Sequence, residues 1–263
     1  MASFIDSHCH IPLLKQAVSG TGVRSILAEA RAHGVSHCLC VAIDLDSLPT
    51  VIAVAEEHPT VYASVGVHPN TQCDSEPTAE SLLPFTDHAK VVAIGETGLD
   101  YYRSQGDLDW QRQRFRQHIR CARQRNLPLI IHMRDAGSDT LRILREERAH
   151  EVGGVMHCYT GDHETAARAM EMNFFISFSG IVTFRNAAAL QAVARDLPLE
   201  KMLLETDSPY LTPVPHRGHE NRPAFVRHVG ECIARLKGLQ VEQVARQTTA
   251  NFFRLFSQAR PRA

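Results

Sequence analysis

The chain has 263 residues, and its 28 lysines and arginines nearly cancel 29 aspartates and glutamates. That balance excludes a protein that coats nucleic acid or lies on an acidic membrane by bulk charge, so any recognition of a polyanion is confined to a cleft. Seven cysteines, an odd number with no Cys-x-x-Cys pair, exclude a disulfide scaffold and predict a reducing, cytoplasmic location.

Met1 to Ile11 lacks a basic start followed by a secretory apolar core, and no apolar run approaches the ~20 residues that span a bilayer. No membrane association and no obligate protein partner are expected.

Along the chain, short β-branched apolar runs alternate with longer amphipathic stretches, the pattern of repeated β/α units. Strands are predicted over Ser3–Cys9, Val35–Ile43, Tyr62–Val67, Val91–Gly95, Leu129–His132, Gly154–His157, Phe174–Ser179 and Met202–Glu205. Helices are predicted between them over Gly22–His33, Leu48–His58, Ala79–His88, Asp109–Asn126, Ser138–His150, Glu164–Met172 and Ala187–Leu197, and further helices within Arg222–Phe256. Gly34, Pro59, Pro128 and Pro198 stand at segment ends, where breakers belong.

Eight such units most simply close into an α/β fold of the (β/α)8 barrel type. An open doubly wound sheet shares the alternation, but no Gly-x-Gly-x-x-Gly follows the first strand to support a dinucleotide fold. With no linker or low-complexity segment, residues 1–263 read as a single domain.

The chemistry lies at the C-terminal strand ends. The first strand carries His8 and His10, whose i, i+2 spacing turns both rings to one face. The third runs into His68, the fourth into Glu96, the fifth into His132, the sixth into His157, and the eighth into Glu205 and Asp207. In a barrel these ends share one rim, where such enzymes place their sites. Core strands should be apolar, so titratable residues collected at one end call for a function.

Four imidazoles and two or three carboxylates form a mixed nitrogen and oxygen set suited to Zn²⁺ or Mn²⁺, and six side chains are too many for one catalytic ion with an open position. Two divalent ions are therefore expected, with His8, His10 and Asp207 on one, His132 and His157 on the other, and Glu96 bridging. Asp207 is the candidate proton acceptor for an activated water, against the plainer possibility of a helix N-cap before Ser208-Pro209.

Among substrate contacts, Arg134 could bind a phosphate or pair with Asp135 or Glu164, and Tyr101, Tyr102 and Arg103 form a loop above the site. The arginine-dense helix with Arg112, Arg114, Arg116, Arg120, Arg123 and Arg125 reads as a solvated outer face. His33, His37, His58, His88, His118 and His150 read as exposed, and Cys9 and Cys158 as packing residues turned away from the metals.

The motifs Asp6-Ser7-His8-Cys9-His10, Gly66-Val67-His68-Pro69, Gly95-Glu96-Thr97-Gly98, Ile131-His132-Met133-Arg134, His157-Cys158-Tyr159 and Glu205-Thr206-Asp207-Ser208-Pro209 together resemble the TatD family of metal-dependent hydrolases, from residue 4 to 256. The resemblance implies a TIM barrel of the metallo-dependent hydrolase type and a Mg²⁺- or Mn²⁺-supported deoxyribonuclease acting 3′ to 5′ on single-stranded DNA or RNA. It assigns the same six ligands, places Glu205 at an additional acidic catalytic position, and puts His68 and the Arg217 loop near substrate. Where the family usually has Arg-Gly-Lys, this chain has Arg217-Gly218-His219, which would make any phosphate contact there pH-dependent. The alternative is ester or amide chemistry, as in a D-aminoacyl-tRNA deacylase or a small-molecule amidohydrolase.

Overall fold

A strand that is apolar on both faces needs cover on both, which a closed parallel sheet wrapped in helices supplies. A computed structural model describes residues 2–17 and 22–259; residues 1, 18–21 and 260–263 of the expected domain lie outside the described residues. Strands β1 (Phe4–Cys9), β2 (Val35–Cys40), β3 (Val61–Val65), β4 (Val91–Asp100), β5 (Leu129–Arg134), β6 (Gly154–Met156), β7 (Phe174–Phe178) and β8 (Met202–Leu204) form one eight-stranded parallel sheet in sequence order. The helices are α1 (Gly22–Ala32), α2 (Leu48–Glu57), α3 (Ala79–Leu82), α4 (Asp109–Arg125), α5 (Gly137–Glu146), α6 (His163–Glu171), α7 (Ala188–Asp196), α8 (Val226–Lys237) and α9 (Val241–Leu255). Among the described residues, no helix is long and apolar enough to cross a membrane.

The sheet closes where the chain leaving β8 meets β1. Cys9 bridges to Ser208, the His10 N–H donates to Ser208 O at 2.8 Å, and the Asp207 N–H donates to His8 O at 2.9 Å. The predicted barrel is therefore observed, and its seam brings both ends of the proposed ligand series together.

Inside the barrel, Ile5, Leu39, Tyr62, Val92, Ile130, Val155, Phe175 and Leu203 supply one apolar residue per strand, in a cluster with Phe252 and Phe256. Asn251 ties α9 to the start of β8 through Met202 O at 2.8 Å, so α9 and the residues after it cover the N-terminal end of the barrel. Above this layer sit small polar groups: Ser7 and Ser177, from strands that are not neighbours, meet at 3.3 Å between their Oγ atoms. The ligand residues lie above them at the C-terminal rim.

Three departures from the predicted elements have local causes. The Ala79–His88 helix is one α-helical turn followed by 3-10 structure over Leu83–Asp87, because Pro84 has no N–H for a helical bond. The Ser138–His150 helix stops at Glu146, and Arg148 turns left-handed with φ 56°. Strand β4 does not end at Gly95 but runs on to Asp100. Its pairing steps from Ile94↔Leu129 to Thr97↔Ile131, one residue more on β4 than on β5. Gly98, at φ 139°, follows this bulge, and a Cβ there would lie 2.0 Å from His132 O. Only glycine permits that approach, which presses Glu96 and His132 together.

Candidate metal centre

Glu96 stands at the middle of the rim, 3 % exposed. Its Oε2 lies 3.3 Å from His8 Nε2 and 3.9 Å from His10 Nε2. Its Oε1 lies 3.0 Å from His132 Nδ1 and 3.2 Å from His157 Nε2. The two oxygens thus face imidazoles on both sides, and Glu96 belongs to two sets close enough to hold one ion, with His8 and His157 and with His68 and His132. Burial alone would raise the Glu96 carboxyl, but His157 and His68, with hydrogen bonds from His132 and His157, hold it well below the usual carboxylate range. It is a fixed anion.

On the seam side, His8 and His10 bring their Nε2 atoms within 3.3 Å, and Asp207 Oδ1 lies 3.4 Å from His10 Nε2 and 3.8 Å from His8 Nε2. Asp207 is not a helix cap. It sits at φ 57° in a turn whose Tyr210 N–H donates to its carbonyl at 2.9 Å. Burial pushes its carboxyl up, but the His10 hydrogen bond and the charges of His157 and His8 bring it below the ordinary range.

The donor chemistry fits divalent cations. His10 Nδ1 lies 3.0 Å from Val41 O, His157 Nδ1 lies 2.9 Å from Glu205 Oε1, and His132 Nε2 lies 3.2 Å from Asp100 Oδ2. A ring whose outer nitrogen gives its proton to an oxygen turns a lone pair inward, and such backing partners also fix the ring's orientation. His68 differs. Its Nδ1 accepts the Asn70 N–H at 3.1 Å, so in the neutral ring the proton is on Nε2, which faces Glu96 Oε1 at 3.4 Å and His132 Nδ1 at 3.3 Å. Burial drives this imidazole down to about 4, so it is neutral at pH 7. His68 is close enough to the centre to join Glu96 and His132 as a possible ligand. Its tautomer instead makes it a hydrogen-bond donor.

Glu205, expected as a catalytic acid, lies behind His157. It is 1 % exposed, and Oε1 also accepts the Cys158 N–H at 2.7 Å. Asp100 stands likewise behind His132 and accepts from Asn70 Nδ2 at 2.8 Å. It was missed because β4 was expected to end at Gly95, although its even spacing from Glu96 was a signal. Asp6 accepts the Thr206 N–H at 2.8 Å and the Thr206 hydroxyl at 2.6 Å, fixing the residue next to Asp207.

Two residues of α4 depart from the solvated face expected of that helix. Arg114 is 2 % exposed, pairs with both oxygens of Glu76 at 2.7 Å, and donates to His68 O at 2.9 Å and Thr71 O at 2.8 Å. It clamps the loop that carries His68. We expect Arg114→Met to lower unfolding free energy by about 3 kcal/mol in urea titration, since two carbonyls lose their donor; a loss below about 1 kcal/mol would assign the clamp no weight. The remaining arginines pair with surface acids, such as Arg116 with Glu146 and Glu147 and Arg123 with Glu151.

His118 is wholly buried rather than exposed, because it is built into this clamp. Its Nε2 accepts the Val67 N–H at 3.0 Å and its Nδ1 donates to Arg114 O at 2.8 Å. Burial, with Arg114 nearby, lowers its pKa to about 4. An ordinary unfolded histidine titrates near 6.5, so this contribution is complete above pH 6.5 and is lost as pH falls toward 4. The stability advantage of wild type over His118→Gln should shrink by about 3 kcal/mol from pH 7 to pH 4. Parallel stability curves would refute the assignment.

A cleft of ≈ 760 Å³ opens over the centre. Arg103 and Arg134 line one wall, and neither has an ion pair among the described residues, so the expected alternative of an Arg134 pair with Asp135 or Glu164 is not observed. Arg134 instead stacks 4.0 Å from the ring centroid of Tyr102. Tyr210 and Leu211 line the opposite side, and Tyr210 is 56 % exposed. Cys158, expected to point away, also lines the cleft, because its left-handed φ of 43° interrupts the strand alternation. Arg217 does not reach it: its guanidinium packs 4.0 Å over Phe184 and donates to Thr212 O. His219 is likewise outside the lining.

Comparison with known proteins agrees with this geometry. The chain matches the family described as "TatD related DNase" over residues 5–257. It is 49 % identical over 252 residues to the uncharacterized metal-dependent hydrolase YcfH of Escherichia coli K12, covering 96 % of this chain and 95 % of that protein. It is 41 % identical to YabD of Bacillus subtilis, another uncharacterized metal-dependent hydrolase, covering 95 % and 98 %. The crystal structure of the Escherichia coli TatD homolog YJJV superposes with a TM-score of 0.91 at 27 % identity, covering 97 % and 98 % of the two chains. A chain matched over nearly its whole length, with five candidate metal-ligating side chains around a central glutamate, belongs to the TatD related DNase family and is a metal-dependent hydrolase.

Proposed function

We propose that this hydrolase is a nuclease, a phosphodiesterase that removes nucleotides from the 3′ end of single-stranded DNA or RNA. The observation that carries the proposal is the make-up of the cleft: two guanidiniums without carboxylate partners on one wall and an exposed aromatic ring on the other. Guanidinium matches phosphate by paired hydrogen bonds, and unpaired bases stack on aromatic rings. An ester or amide lacking phosphate would leave Arg103 and Arg134 without a role.

Two divalent ions, Zn²⁺, Mn²⁺ or Mg²⁺, held by His8, His10 and Asp207 and by His132 and His157 with Glu96 shared, would supply Lewis acidity toward water and phosphorus. Asp207, whose carboxylate is 15 % exposed at the floor of the cleft, accepts the proton of the attacking water. His68 donates from Nε2 to a phosphoryl oxygen, and Arg134, stiffened by Tyr102, holds the substrate phosphate. Glu205 and Asp100 keep the rings of His157 and His132 in register. The reduced cysteines fit a cytoplasmic enzyme, and we take residues 1–263 as one catalytic domain.

The test is digestion of 3′- and 5′-labelled single-stranded DNA and RNA by protein stripped of metal and refilled with Mg²⁺, Mn²⁺ or Zn²⁺. Stepwise shortening from the 3′ end that stops on chelation is the expected result. Silence on both polymers with metal bound, alongside hydrolysis of aminoacyl-tRNA or a simple ester, would move the enzyme to deacylase chemistry.

A further inference from the structure

The segment after β8 and the start of α8 carry histidines that the metal centre does not use. His216 and His228 point their Nε2 atoms at each other across 3.1 Å. His228 lies on α8, and its Nδ1 is 3.2 Å from Glu231 Oε2, three residues along the helix. A ring whose Nδ1 proton goes to a carboxylate presents a lone pair at Nε2. The ring of His216 is fixed by stacking on Phe225, with centroids 4.2 Å apart and planes 5° from parallel. Burial, then the charges of His228, His219, Arg222 and His33, hold His216 below the ordinary imidazole range, so the ring is neutral at pH 7 and either nitrogen can carry its single proton, leaving Nε2 free to turn a lone pair to a metal when the proton sits on Nδ1. Neither histidine lines the catalytic cleft.

Two imidazoles on one tetrahedral ion, at metal–nitrogen lengths of about 2.0–2.1 Å, have nitrogens about 3.3 Å apart. The observed separation of 3.1 Å needs little adjustment. We propose that His216 and His228 form a separate site for a late first-row ion such as Zn²⁺, Ni²⁺ or Cu²⁺, which staples the segment after β8 to α8. The donors are all nitrogen, so the site rejects Mg²⁺, which prefers oxygen. With two protein ligands, water or a small anion fills the other positions, and the dissociation constant is roughly 1–10 µM, weaker than a four-ligand structural site. Glu231 acts through His228 as the positioning residue. The stapled segment begins just after Tyr210 and Leu211, so the ion would tie one wall of the cleft to the outer helix layer. The site stands on these residues alone and does not depend on the nuclease proposal.

The experiment equilibrates metal-loaded protein with buffered Zn²⁺ near 50 µM and counts bound ions by mass spectrometry, in wild type, His216→Ala and His228→Asn. Each variant should carry one ion fewer than wild type, with Mn²⁺-supported turnover unchanged. The same one-ion difference should appear in a Glu96→Gln background, where the catalytic centre is impaired. Glu231→Gln should retain the ion with affinity about 10-fold or more weaker. In parallel, Cu²⁺ bound at the added site should show hyperfine splitting from two nitrogens in electron paramagnetic resonance. Equal ion counts in wild type and both histidine variants would overturn the proposal and leave an ordinary N–H···N hydrogen bond between the rings.

Discussion

Asp207→Asn should keep the fold and lose about 10²- to 10⁴-fold in turnover, the range expected when a general base is removed. The residue sits at φ 57°, a conformation that asparagine tolerates nearly as well as aspartate. Its N–H bond to His8 O at 2.9 Å, which closes the barrel, involves the backbone and survives the change. What disappears is an anionic oxygen able to take a proton at the cleft floor. Single-turnover cleavage with Mn²⁺, beside a thermal melt, separates the effects: an unshifted melt with slow cleavage is expected. Wild-type turnover in the variant would remove Asp207 from the chemistry.

Glu96→Gln should be at least as damaging, by about 10³-fold or more, because several kcal/mol of charge stabilisation would depend on the ions it is proposed to share. Glu96 faces imidazoles on both sides, with Oε1 3.0 Å from His132 Nδ1 and Oε2 3.3 Å from His8 Nε2. Glutamine has nearly the same shape but no charge, and its amide nitrogen meets lone pairs it can only partly satisfy. The two substitutions therefore part company in metal content. Asp207→Asn should retain metal on the side of His132 and His157, whereas Glu96→Gln should lose affinity on both sides. Wild-type protein should melt higher as Mn²⁺ is added, since a ligand bound only by the folded state stabilises it, and Glu96→Gln should not. A Glu96→Gln protein with full metal content would refute the shared-ligand arrangement.

The barrel was legible because alternation of apolar runs and amphipathic stretches is a property of every β/α unit, so local errors do not change the class. The gathering of His8, His10, Glu96, His132, His157 and Asp207 was legible for the same reason: each stands near the C-terminal end of a predicted strand, and a closed parallel sheet brings all such ends to one rim. Residues whose position depends on a partner far along the chain were hidden. Arg114 looks like its neighbours on α4, and only the folded loop reveals that Glu76, His68 O and Thr71 O surround it. His118 was hidden with it. Asp100 was concealed by the bulge that carries β4 past Gly95, and the placement of Glu205 behind His157 rests on a partner far along the chain. Arg217 follows a motif, but its stacking on Phe184 reflects the course of a loop that no periodicity describes.

The seam between β1 and the chain after β8 also sets a schedule. His8 and His10 leave a ribosome about 200 residues before Asp207 does. At about 5–20 residues per second, the earlier ligands wait roughly 10–40 s for their counterpart. The completed centre cannot guide the early steps of folding, and a chain halted before its eighth strand would have histidines but no assembled site. Hydrolytic activity is thereby withheld until the segment after the eighth strand has been made.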